Sequence, residues 1–156
     1  MTNYTDYTAY FRQLAIDFLG DSDTEKHFYR KGLEEFLQGL QTVVNYPAML
    51  LDRYDYKYSD NGADNVMKDR TIAFMIIDNA VDIEDYNRID EIFDFTENIV
   101  DQIFNRVRED MHYPKHDFMK YANMNNVQVS PIENYADATY GYFVTIDISS
   151  HHNTIV

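Results

Sequence analysis

Residues 82–111 read DIEDYNRIDEIFDFTENIVDQIFNRVREDM. Ile89, Ile92, Phe93, Thr96, Ile99, Val100, Ile103, Phe104, Val107 and Met111 recur at steps of three and four, the spacing that aligns side chains along one stripe of an α-helix. Asp90, Glu91, Asp94, Glu97, Asp101, Arg106, Arg108 and Glu109 fill the intervening positions as a solvated face. At about 1.5 Å per residue such a helix reaches about 40 Å, long enough to cross a small sheet. Most helical stability comes from burying such a stripe, so the strand-like runs on either side are expected to cover it.

On its N-terminal side, Thr71, Ile72, Ala73, Phe74, Met75, Ile76 and Ile77 form a nearly unbroken apolar run, the mark of a central strand covered on both faces. Before that run, Ala48, Leu50, Asp52, Tyr54, Tyr56 and Tyr58 share one side of an extended segment, and Met49, Leu51, Arg53, Asp55 and Lys57 the other. The alternation is imperfect, but tyrosine richness favours a strand. Residues 59–65, SDNGADN, are turn formers and predict a hairpin loop or a longer connection. Two helices are expected upstream. The first carries Tyr7, Tyr10, Phe11, Leu14, Ala15 and Phe18 behind a Thr5 or Asp6 cap. The second follows a Thr24 cap, carries Phe28, Tyr29, Leu33, Phe36, Leu37 and Leu40, and ends near residues 43–45 ahead of Pro47.

On the C-terminal side, Tyr113, Pro114, Lys115 and His116 break the long helix, and residues 118–124 fit either a short strand or a turn of helix. Residues 126–130 predict a strand ended by Pro131, residues 134–139 a loop, and Tyr140, Tyr142, Val144, Ile146 and Ile148 one face of a last strand. From Ser149 the chain reads as a short mobile tail. The expected fold is α+β: an antiparallel sheet of four to five strands, the long helix packed on one face, and two N-terminal helices, in the order α-α-β-β-α-β-β. One domain is expected over residues 1–150, followed by a flexible tail at residues 151–156.

Charge restricts the function. Twenty-seven acids against 13 lysines and arginines give a formal net charge of −14, the wrong sign for gripping nucleic-acid phosphates or an anionic membrane. There is no cysteine, hence no disulfide, thiol nucleophile or Cys-based zinc site. Fourteen tyrosines and no tryptophan suggest half-buried rings suited to interfaces as well as sheet surfaces. The N-terminal residues lack the basic start and apolar block of a signal peptide, so synthesis in a cytosol is expected.

Motifs for chemistry are sparse. The five glycines form neither GxGxxG nor a P-loop, so no nucleotide cofactor is expected. Asp21, Asp23 and Glu25 alternate but lack the glycine and distal glutamate of a calcium loop, and read better as acids at a helix N-terminus. Asp52, Asp55, Asp60 and Asp64 fit a solvated loop better than a weak cation site. His112 and His116, like His151 and His152, lack an acidic partner at a fixed helical offset and read as surface histidines. Asp90, Asp94, Glu97 and Asp101 line one side of the long helix as its wet face. Repeated around a ring, the same stripe would form a negative wall that repels DNA. No catalytic, cofactor or metal residues are assigned, and a metal-dependent hydrolase built on Asp52 or Asp55 is the least favoured class.

The segments TEKHFYR at 24–30, Gly39 with Leu40, YPAMLL at 46–51, DRTIAFMII at 69–77 and ATYGYFVTI at 138–146 carry a further signal. Together they resemble a family of small uncharacterised structural proteins encoded in Bacteroidetes phages and prophage-like gene clusters. The element order is also similar to that of phage tail-terminator and tail-completion proteins, which cap a tail tube as rings. The resemblance implies a non-enzymatic virion component, a tail or head–tail connector subunit assembled in the bacterial cytoplasm. Its implied partners are copies of itself in a ring and neighbouring tail-tube or neck proteins, with no cofactor, no membrane and no specific nucleic acid. DNA could pass through an acidic lumen without sticking. Candidate contacts are Asp60, Asn61, Gly62 and Asp64 in the first loop, Asn134, Tyr135, Asp137 and Thr139 in the second, and the C-terminal tail. The alternative is an acidic binding module, an inhibitor or DNA mimic acting as monomer or dimer.

Overall fold

The structure, a computed structural model, describes residues 4–30, 44–60, 62–63, 65–112, 122–135 and 138–151. Its elements are α1 (Tyr4–Leu19), β1 (Phe28–Tyr29), β2 (Ala48–Leu51), β3 (Asp55–Asp60), β4 (Val66–Asn79), α2 (Tyr86–His112), β5 (Ala122–Tyr135) and β6 (Thr139–His151). The long helix begins four residues later than its sequence pattern, because Asp85 caps it: Asp85 Oδ1 accepts the Arg88 N–H at 3.1 Å. Ile89, Ile92, Thr96, Ile99, Val100, Ile103 and Val107 are its buried stripe. Thr96 is tolerated there because its hydroxyl donates to the Ile92 carbonyl at 2.8 Å.

The fold is α+β, but the sheet is larger than expected and mixed. Six strands run in the order β1-β2-β4-β6-β5, with β3 also beside β4. β1 pairs in parallel with β2, and the remaining pairs are antiparallel. The 14 residues of β4 hydrogen-bond β2 and then β3 along one side and β6 along the other, making β4 the spine of the sheet.

The imperfect alternation of residues 48–58 has a physical cause. Leu51 faces Phe74 and Asp55 faces Thr71, so three residues bridge the gap on one side and two on the other. This bulge inverts the side-chain parity. Met49 and Leu51 therefore share a face with Tyr56 and Tyr58, through their partners Ile76, Phe74, Arg70 and Lys68.

That face carries the main core. Ile72, Phe74, Ile76, Val144, Ile146 and Ile148 meet the stripe of α2 and Tyr7, Phe11 and Leu14 of α1. The two helices are joined by Arg106, whose Nη1 lies 2.9 Å from Asp17 Oδ2 while its guanidinium lies 5.2 Å from the centre of the Phe18 ring. α1 ends at Gly20, whose φ of 76° suits the left-handed turn that closes a helix. Behind the sheet, Tyr29, Ala48, Leu50, Met75, Ile77 and Ile132 form a second apolar cluster.

Four further expectations are corrected. Phe28 and Tyr29 are strand rather than helix, and residues 31–43 of the expected second helix lie outside the described residues. Asp21 serves that strand and no helix start: its Oδ1 accepts the N–H groups of His27 and Phe28 at 2.7 and 3.0 Å. Pro131 does not end a strand; it lies within β5 opposite Tyr142, tolerated because β5 is an edge strand. Ser149, Ser150 and His151 are not tail but the end of β6, paired with Asp69, Lys68 and Met67.

Candidate functional site

At the far end of β4, the β3–β4 hairpin carries a row of tyrosines. Tyr54, Tyr56 and Tyr58 lie ring to ring, with centroids 6.4 and 5.7 Å apart. Tyr54 also packs edge-on against Tyr7 of α1 at 4.9 Å, which anchors the row to the core. Tyr56 and Tyr58 extend past that anchor and are 53% and 54% exposed. Across the strand pair, the Lys68 ammonium stands 4.0 Å from the centre of the Tyr56 ring, and the Arg70 guanidinium 5.6 Å from that of Tyr54. Arg70 is buried and its Nη1 donates to Ser150 Oγ at 2.9 Å. Desolvation, and then the nearby Arg70 charge, lowers the Lys68 pKa. The result is a shelf of aromatic rings with one accessible cation, Lys68, and one buried cation, Arg70, on a chain of net charge −14.

The opposite face of the same strands is acidic and polar. Asp55, Lys57, Asp69, Thr71, Asn123, Asp147 and Ser149 line a shallow trough of about 480 Å³. Two of its three carboxylates already accept hydrogen bonds: Asp69 from Ser59 and Ser149, Asp147 from Thr71 and Asn126. Among the described residues no group of three or more His, Asp or Glu is placed to hold a metal ion. Asp60 accepts the Gly62 N–H at 2.8 Å and so stabilises the hairpin turn.

The candidate contacts separate into two ends. Asp60 belongs to β3 and Gly62 to the turn, and β6 returns alongside them, with His151 Nδ1 at 3.1 Å from Asn65 Oδ1. The first loop and the C-terminal strand thus converge. The expected second loop is shorter than read: Asn134 and Tyr135 are in β5 and Thr139 is in β6, with Tyr135 paired to Thr139. That hairpin sits at the other end of β4, where Asn79 pairs with Thr139 and the Ala80 N–H reaches the Ala138 carbonyl at 3.0 Å. Asn61, Asp64, Asp137 and residues 152–156 lie outside the described residues. Asp90, Asp94, Glu97 and Asp101 are all exposed along α2. Burial, with Glu97 and Asp94 nearby, raises the Tyr142 pKa.

Sequence reasoning placed Tyr54, Tyr56 and Tyr58 on one side of a strand but assigned them no role. Their spacing with two cations at matching distances beyond the turn, Lys68 and Arg70, was the available signal. No protein-family model matches the chain, and no curated protein does.

Proposed function

We propose that the chain is a non-enzymatic structural subunit of a phage or phage-like particle, a tail-terminator, tail-completion or head–tail connector protein. It assembles into a ring and touches tail-tube or neck proteins. The observation that carries this reading is the tyrosine shelf with its lysine, presented on the paired strands β3 and β4. Exposed tyrosine is among the residue types enriched where proteins bury surface against each other. The resemblance of the sequence to phage structural proteins supports the particle. The solvent-facing stripe of Asp90, Asp94, Glu97 and Asp101 suits a lumen that lets DNA slide.

That stripe also favours a second reading, an acidic module that occupies a basic partner's DNA site. Sedimentation velocity of the purified chain, alone and with tail-tube protein, separates the two. A discrete species several times the monomer mass supports the first reading. A monomer throughout, which competes with DNA for a basic protein, supports the second.

A further inference from the structure

Among the described residues, five large hydrophobic side chains are more than half exposed, and they fall into two groups. Tyr56 and Tyr58 form the shelf. Val81, Ile83 and Tyr86, at 89%, 52% and 71% exposure, form a tip between β4 and α2. Two local hydrogen bonds shape the tip: Asn79 Oδ1 accepts the Val81 N–H at 2.8 Å, and Asp82 Oδ1 the Glu84 N–H at 2.9 Å. Val81 adopts a φ of 68°, which a β-branched side chain resists, so the turn displays a valine where backbone preference calls for Gly or Asn.

The charges around the two groups differ. Asp82, Glu84 and Asp85 flank the tip and are exposed, and the first base after them, Arg88, is already bound to Asp78 at 3.1 Å. On the shelf the accessible cation is Lys68, since Arg70 is buried, and the carboxylate on the same strand face, Asp60, is engaged by the Gly62 N–H. The two surfaces cannot meet within one molecule. Tyr58 pairs with Lys68, and the 11 steps of β4 from there to Asn79 span roughly 36 Å at about 3.3 Å each.

We propose that the acid-flanked tip of one copy docks on the tyrosine–lysine shelf of the next copy. The contact is heterologous, so repetition gives a closed ring if the rotation closes and a filament if it does not. The inference rests on the assembly reading above and names the surfaces that reading requires.

The test uses the full chain with Ile83→Arg at the tip and with Lys68→Glu on the shelf, each first checked for a wild-type melting profile. Sedimentation should show each variant needing at least tenfold more protein to assemble. A 1:1 mixture should yield a dimer, because one intact tip still meets one intact shelf. Val81→Asn guards against misfolding as an explanation, since it should raise the melting temperature while weakening assembly. Wild-type assembly with both variants unaffected overturns the inference and leaves the assembly reading standing. Variants that fail alone and fail when mixed overturn the head-to-tail arrangement. A wild-type chain that stays monomeric at high concentration and with tail-tube protein overturns both.

Discussion

Gly141 pairs with Ile77 in the middle of the sheet, and a Cβ placed on it would overlap the Ile76 carbonyl oxygen and come within 2.9 Å of Ile77 Cα. Its φ of 155° compounds the difficulty, because side-chain-bearing residues rarely adopt that backbone. Gly141→Ala is therefore expected to cost roughly 2 to 6 kcal/mol from overpacking and backbone strain together. Urea denaturation measures it, and a loss below about 1 kcal/mol would contradict the close approach of β6 to β4.

Val81 lies at the other extreme, exposed and strained. Val81→Asn relieves a left-handed β-branched residue without removing any buried surface. Stability should rise by about 1 kcal/mol. A melting temperature that falls instead would show that the turn depends on the valine side chain.

Asp21 is buried and its Oδ1 accepts two main-chain N–H groups, those of His27 and Phe28. Asp21→Ala leaves both donors without that acceptor and is expected to cost roughly 2 to 5 kcal/mol. Asp21→Asn keeps an acceptor oxygen and gives up mainly the 3.5 Å contact with the half-exposed Arg12, a loss of roughly 1 kcal/mol or less. Equal losses in the two variants would argue that the ion pair, not the carbonyl-like acceptor, holds β1 in place.

The helix-face core predicts an alkaline limit to stability. Tyr7 donates to the Asp52 carbonyl and Tyr10 to Asp110 Oδ2, both at 2.8 Å. Burial, above all, raises both phenol pKa values well above the ordinary 10.0, with the Asp110 hydrogen bond adding to the effect on Tyr10. A raised acid pKa means that the fold favours the protonated form. Their contribution is complete below about pH 10 and is lost above it, at up to about 1.4 kcal/mol per pH unit for each tyrosine. Absorbance at 295 nm should show two phenols that ionise only as the protein unfolds; ionisation of all tyrosines near pH 10 in the folded chain would contradict their burial.

Much of this architecture is legible in the residues. The three-and-four spacing of α2 and the strict alternation of Tyr140, Tyr142, Val144, Ile146 and Ile148 each survive because one face is buried along the whole element. The two residues of β1 are too few to show a period, and Phe28 and Tyr29 happen to continue a helical spacing. Pro131 reads as a terminator unless it is known that β5 is an edge. The shelf is hidden for a different reason: Tyr54, Tyr56 and Tyr58 look alike in sequence, and only the position of α1 decides which of them stay exposed. The tip contains no Gly or Pro, so Ile83 reads as part of a helix that Asp85 in fact begins later.

A photo-crosslinking residue at position 83 gives the most direct measurement of the central claim. In assemblies mixed from ordinary and 15N-labelled chains, intermolecular crosslinks should map to the β3–β4 hairpin around Tyr56, Tyr58 and Lys68 of the neighbouring copy. Assemblies whose crosslinks land elsewhere, or that form with none from this position, would contradict the account.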